Sequence, residues 1–253
     1  MIALVGFVPA VLSEMLTHSL TLEAWICVVG SGLSCGAYFL FLARAYGSSD
    51  FTVVYPVARS LPVLFVGIGD VLRGRHPTPI GWLGLLLVVC GGFLVPLRSF
   101  RDFAVHRYLN RTSLWMLLTA MCTVGYTLFD KAAAEVVQQG PATAARYGYM
   151  FFLISGAAYG VFLQMFVEKQ SLPSVGWRLP ALAACLNFGA YWLVLWAYQL
   201  SQRASYVVAL RQFSIIIGVL LAFAIYKELG LFVRLVGTFL LTSGLVLIVL
   251  GGG

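Results

Sequence analysis

Leu33-Ser-Cys-Gly-Ala-Tyr38 and Leu186-Asn-Phe-Gly-Ala-Tyr191 are nearly the same phrase written twice. Each runs on through apolar residues into Ala-Tyr, at 45–46 and 197–198. The offset between them is 153 residues, and within one residue it also pairs Ser19-Leu20 with Ser171-Leu172 and Trp25 with Trp177. It further pairs Arg59 with Arg211, Gly84 with Gly237, and Gly91 with Gly244. Chance does not hold one register over so many positions, so the chain is an internal duplication.

The duplicated material is membrane helix. Of 253 residues, 61% are hydrophobic and only 10% charged, whereas soluble domains carry about a quarter charged residues. Stretches such as Leu83 to Leu97 and Ser113 to Phe129 contain no charge at all. A helix needs about 20 apolar residues to cross ~30 Å of hydrocarbon, and these continuous runs do not alternate as the strands of a barrel do. Punctuation by charge, Pro, Gly and Ser marks nine spans, roughly 2–17, 23–46, 51–72, 79–97, 113–132, 143–167, 179–199, 204–226 and 231–250. The first span lacks the basic start and small-residue cleavage site of a signal peptide, which predicts that it is retained.

The expected fold is therefore an all-α polytopic transmembrane bundle of two inverted five-helix repeats. Residues 1–97 form the first repeat, 98–112 a basic linker, and 113–253 the second repeat. The second repeat has five spans and the first shows four, because the counterpart of the span opening near Ser113 would precede Met1. An odd number of spans turns the following copy upside down, the plan of many secondary transporters.

The most specific local motifs are Tyr-Pro-Val-Ala-Arg-Ser-Leu-Pro at 55–62 and Ala-Leu-Arg-Gln-Phe-Ser at 209–214, the latter running to Lys227-Glu228. A Gly-x6-Gly spacing follows in each half, Gly84 to Gly91 and Gly237 to Gly244. Over essentially the whole chain this pattern resembles the EamA-type family of the drug/metabolite transporter superfamily. The resemblance implies a ten-helix carrier of small metabolites, with substrate held between the repeats near mid-membrane, and this chain departs from it by the absent first helix. It also implies a cytoplasmic carboxy terminus. The charges point the other way: nine Lys and Arg flank the spans on one side, four of them in the 98–111 connection, and five on the other, so the positive-inside rule puts Met1 in the cytoplasm. Both orientations stay open.

Arg59 and Arg211 alone among the Lys and Arg lie inside apolar spans, at equivalent positions seven or eight residues from a span start. That is about 11–12 Å deep, where an arginine costs roughly 2.5–3.5 kcal/mol and usually marks a partner, a cavity or a pathway. Two guanidinium groups can bind a carboxylate or phosphate bidentately. The structural alternative is that Arg59 satisfies carbonyls freed by Pro56 and Pro62; no proline accompanies Arg211. Tyr38, Tyr55, Tyr191, Trp192 and Tyr206 are candidates to line a partly wet cavity for amphipathic substrates, with ordinary packing as the alternative. Asn187, one turn from Tyr191, is a candidate to face the pathway or to bridge helices. Gly32/Gly36 and Gly156/Gly160 predict close helix approach.

Other function classes fit poorly. Lys and Arg are scattered without a basic stripe, which excludes a nucleic-acid surface. His18, His76 and His106 are isolated, no Gly-x-Ser-x-Gly or His-Glu-x-x-His occurs, and no enzyme is expected. The five cysteines show no Cys-x-x-Cys spacing, so neither a metal site nor a cofactor is expected. Glu14, Asp70, Asp130 and Glu228 fall at predicted span ends, where interfacial solvation accounts for them and no proton relay is indicated. The reading is a multi-pass transporter of the cell (inner) membrane whose partners are a small-molecule substrate and the lipid bilayer. The rivals are a non-transporting membrane subunit, an inactive remnant and an intramembrane enzyme.

Overall fold

The computed structural model describes residues 2–48, 51–95, 97, 111–166, 176–217 and 231–251, with side chains from Val8 onward except those of 48–58, 111–112 and 231. Among these residues every regular element is helical. The elements are α1 (Ile2–Thr17), α2 (Leu22–Ser48), α3 (Phe51–Leu72), α4 (Pro79–Leu94), α5 (Arg111–Val136), α6 (Pro141–Phe166), α7 (Arg178–Leu200), α8 (Ala204–Leu210) and α9 (Leu231–Gly251). Residues 213–217 are also helical. Residues 98–110 of the basic linker, and Lys227-Glu228, lie outside the described residues.

Four stretches, Leu22–Gly47, Pro141–Phe166, Arg178–Leu200 and Phe232–Gly251, are long and apolar enough to cross a bilayer. Large apolar side chains stand outward on them and their neighbours; Leu72 and Leu250 are 83% and 80% exposed. Such surface suits hydrocarbon rather than water, and the chain is a multi-pass helical membrane protein.

Two compact units divide the chain. The first comprises Met1–Leu40 and Gly125–Gln202; the second comprises Phe41–Val124 and Arg203–Gly253. Helices α2 and α5 contribute residues to both.

In the first unit, α2 lies against α6 where Gly32 and Gly36 remove side-chain bulk. A Cβ on Gly36 would stand 2.7 Å from Ala158 Cβ and 3.0 Å from the Tyr159 backbone N, so only glycine allows this approach. Gly156 and Gly160 do not act this way: a Cβ on either meets nothing within 4 Å. The close contact of α6 is made instead by its Ile154–Ala158 face, so the Gly-x3-Gly spacing alone misdirects there. At the start of the unit, Glu14 accepts from Ser19 Oγ at 2.6 Å and Leu20 N at 2.8 Å, and Arg146 of α6 approaches its carboxylate at 3.7 Å.

In the second unit, α4 and α9 pack antiparallel through the four repeat glycines. Gly84 faces the Gly244 carbonyl and Gly91 faces that of Gly237, with Cβ positions 2.8 and 2.5 Å from those oxygens. Exchanging each glycine for its sequence equivalent, 84 for 237 and 91 for 244, converts the first contact into the second. Thr78 caps α4 by accepting from Gly81 N at 3.0 Å, with Pro79 at the first helical position. Its hydroxyl also donates to Gly251 O at 2.7 Å, tying the start of α4 to the end of α9.

Candidate functional site

The second unit brings α3, which carries Arg59, into contact with α8, which Arg211 directly follows. Asp70, fully buried near the end of α3, accepts from the backbone N–H groups of Ala204 at 3.1 Å and Ser205 at 2.8 Å. A carboxylate there satisfies orphan donors and complements the positive end of α8. From that anchor α8 runs only to Leu210; Arg211 and Gln212 form a turn before helix resumes at 213.

The hydrogen bonds tighten at the turn. Arg211 N still donates to Val207 O four residues back, at 3.1 Å, but Gln212 N donates to Ala209 O and Ile215 N to Gln212 O, at 2.9 and 2.8 Å. That leaves Val208 O without its usual backbone donor. The buried Gln212 side chain takes the vacant place: its Nε2 donates to Val208 O at 3.3 Å and to Arg59 O of α3 at 3.1 Å. Arg59 is thus fixed by its backbone beside the neighbour of Arg211. Both arginines are half-buried. The two equivalent positions differ in their backbone: Arg59 lies within the continuous helix α3, between Pro56 and Pro62, and Arg211 lies in the turn after α8.

The aromatic and polar candidates divide between the units. Tyr38 of α2 and Tyr191 of α7, sequence equivalents, both pack edge-on against Tyr126 of α5, with ring centroids 5.9 and 6.2 Å apart. Tyr191 also stacks on Phe151 at 4.8 Å. Asn187 is exposed on α7. Trp192 is half-buried, donates to Pro141 O at 2.7 Å and stacks on Trp196. In the second unit, Tyr206 is buried with its hydroxyl accepting from Thr78 N at 3.2 Å, and the Arg203 guanidinium lies 5.3 Å above its ring. Tyr55 belongs to α3, but its side chain is among those not described.

Three acids correct the expectation of solvated span ends. Glu14, Asp70 and Asp130 are 8%, 0% and 1% exposed; Glu228 lies outside the described residues. Asp130 misleads because α5 continues to Val136 rather than ending at 132, which moves the carboxylate into the helix. Three helices converge on it. Ser31 Oγ of α2 donates to Oδ1 at 2.5 Å, Tyr147 of α6 donates to the same oxygen at 2.8 Å, and the Tyr191 hydroxyl donates to Oδ2. A cavity of about 10 Å³ lies alongside, bordered by Asp130, Tyr147, Leu195 and Gln199. Next to it, the buried Lys131 donates to Tyr198 O at 3.0 Å and Ser201 O at 2.6 Å and pairs with Glu135 at 3.2 Å, closing the carboxy-terminal end of α7. In sequence the same Asp-Lys pair abuts a charge-free run and has the pattern of a span boundary. No group of His, Cys, Asp and Glu able to hold a metal occurs among the described residues.

No curated protein matches the chain. Residues 1–96, which run from α1 through α4, match the model of the EamA-like transporter family.

Proposed function

We propose that this chain is an alternating-access transporter of small organic metabolites in the inner cell membrane, with nine spans arranged as two inverted repeats. An anionic group of the substrate is held between the repeats at Arg59 and Arg211. The observation that carries this reading is that two intramembrane arginines at equivalent positions are brought together where the helix breaks at Arg211, joined through Gln212 and Arg59 O. Broken backbone is tolerated at membrane depth only where it is buried or lines a cavity, so the turn at Arg211 supports a binding site there. The exchange symmetry of the α4–α9 glycine contacts supports the inverted arrangement. Antiparallel packing of equivalent helices is what an odd-numbered repeat produces.

The test is counterflow in proteoliposomes with small carboxylates, organophosphates and amines, on wild type, Arg59→Ala and Arg211→Ala. Anion counterflow in wild type, reduced at least ~100-fold in both folded variants, is the expected result, since losing one hydrogen-bonded charge partner costs on the order of 3 kcal/mol. Flux of neutral or cationic compounds that survives both changes sinks the arginine site and keeps the transporter. Absence of flux for every compound favours a non-transporting subunit.

A further inference from the structure

Of the buried acids, Glu14 is matched by an arginine and Asp70 by a helix amino terminus, whereas Asp130 is held by hydroxyls contributed from three other helices. The helix α5 is 26 residues, ~39 Å, long. If it is centred on the bilayer, Asp130 lies ~10 Å from the midpoint, inside a hydrocarbon layer of about 30 Å. Ser31 supplies the decisive detail, because its hydroxyl has two acceptors within reach, Asp130 Oδ1 at 2.5 Å and the Tyr126 carbonyl at 3.4 Å.

We propose that Asp130 is a reversible proton-binding site that couples a proton gradient to the movement of α2, α6 and α7, a role that rests on the transporter reading above. In the ionised form the carboxylate accepts from Ser31, Tyr147 and Tyr191 and holds the three helices to α5. A proton arriving through the adjoining cavity, which has room for about one water, binds at Oδ1. The new O–H donates to Ser31 Oγ, whose own hydrogen turns to the Tyr126 carbonyl. The site therefore satisfies its hydrogen bonds in both protonation states, while the charge that held the two tyrosines is lost and their bonds weaken. The titratable and charged groups around it are Tyr147 on α6, Tyr191 on α7, the Cys27 thiol of α2, which acts electrostatically on Tyr147, and Lys131 with Glu135 on α5 itself.

The test is pH-difference infrared spectroscopy on the full chain reconstituted in lipid, followed by counterflow with and without an imposed pH gradient. A protonated-carboxyl band that titrates in wild type and vanishes in Asp130→Asn is the expected result. Tyr191→Phe removes a donor that favours the ionised form, so the midpoint of that band rises by about one to two pH units. This second variant decides the matter if Asp130→Asn fails to fold. A band absent from wild type, or unmoved by Tyr191→Phe, overturns the site. For any compound with counterflow, the wild-type rate should respond to the gradient and that of Asp130→Asn should not; a gradient-indifferent wild type overturns coupling even if the band titrates. Absence of counterflow with a titrating Asp130 overturns the transporter reading, and the coupling role with it, but not the proton site.

Discussion

Replacing Gly91 by alanine should separate α4 from α9. The added Cβ stands 2.5 Å from Gly237 O and 2.6 Å from Leu241 N, both backbone atoms, so no side chain can swing aside to make room. Ordinary carbon contacts lie near ~3.5 Å or more, which requires the helices to part by about 1 Å. A gap of that size forfeits a quarter to a half of each neighbouring dispersion well, and overpacking of this kind costs about 1–3 kcal/mol. Against it, alanine is favoured over glycine inside a helix by roughly 1 kcal/mol, so the net loss should be largest where the clash is with backbone. The control is Gly156→Ala, where the new methyl meets nothing within 4 Å and only the helix preference acts. The assay is thermal unfolding in detergent followed by tryptophan fluorescence. At ~2–4 °C per kcal/mol for a chain of this size, Gly91→Ala should lower the midpoint by several degrees and Gly156→Ala should leave it unchanged or raise it. Equal shifts in the two variants would refute the glycine-mediated approach. Gly237→Ala should behave like Gly91→Ala, and the double variant should lose less than the sum, because the two glycines relieve one contact.

Asp70→Ala leaves the N–H groups of Ala204 and Ser205 without their carboxylate, and should destabilise the chain by about 1–3 kcal/mol; thermal unfolding reads this, and Asp70→Asn, which can still accept one bond, should fall between. Tyr206→Phe removes the acceptor of Thr78 N while keeping the ring under Arg203, so a stability loss near ~1 kcal/mol with counterflow retained is expected. Loss of counterflow at unchanged stability would instead make Tyr206 a substrate contact. Lys131→Met strips the carbonyls of Tyr198 and Ser201 of a charged donor and should increase amide exchange at the end of α7, measured by hydrogen–deuterium exchange.

The parts of the structure legible in sequence are those written twice. Tyr38 and Tyr191 match by offset and meet on the same ring, and the Gly84/Gly237 and Gly91/Gly244 pairs meet each other at a helix crossing. Repetition signals a shared constraint, and both constraints are steric. Single-copy features were harder to read. A charge beside an apolar run marks a span boundary only when the helix stops there, and α5 runs past Asp130-Lys131 to Val136, so the sequence pattern alone places the acid at a solvated end. The turn at Arg211 has no proline or glycine to announce it; it is held by Gln212, whose side chain replaces a backbone donor from within the same segment. Asn187 and Trp192 were legible as polar groups in an apolar helix, but period and spacing do not fix which way α7 faces.

Neither compact unit is a continuous stretch of chain: the boundaries fall at Leu40/Phe41, Val124/Gly125 and Gln202/Arg203. A ribosome that has made the first 124 residues has therefore supplied only the opening part of each unit. The first unit closes when residue 202 emerges, and the second only after α9 has followed. Early helices must wait in the membrane for distant partners, so assembly follows insertion rather than accompanying it. Cutting the gene at the repeat boundary would yield two products, each holding pieces of both cores and a whole copy of neither.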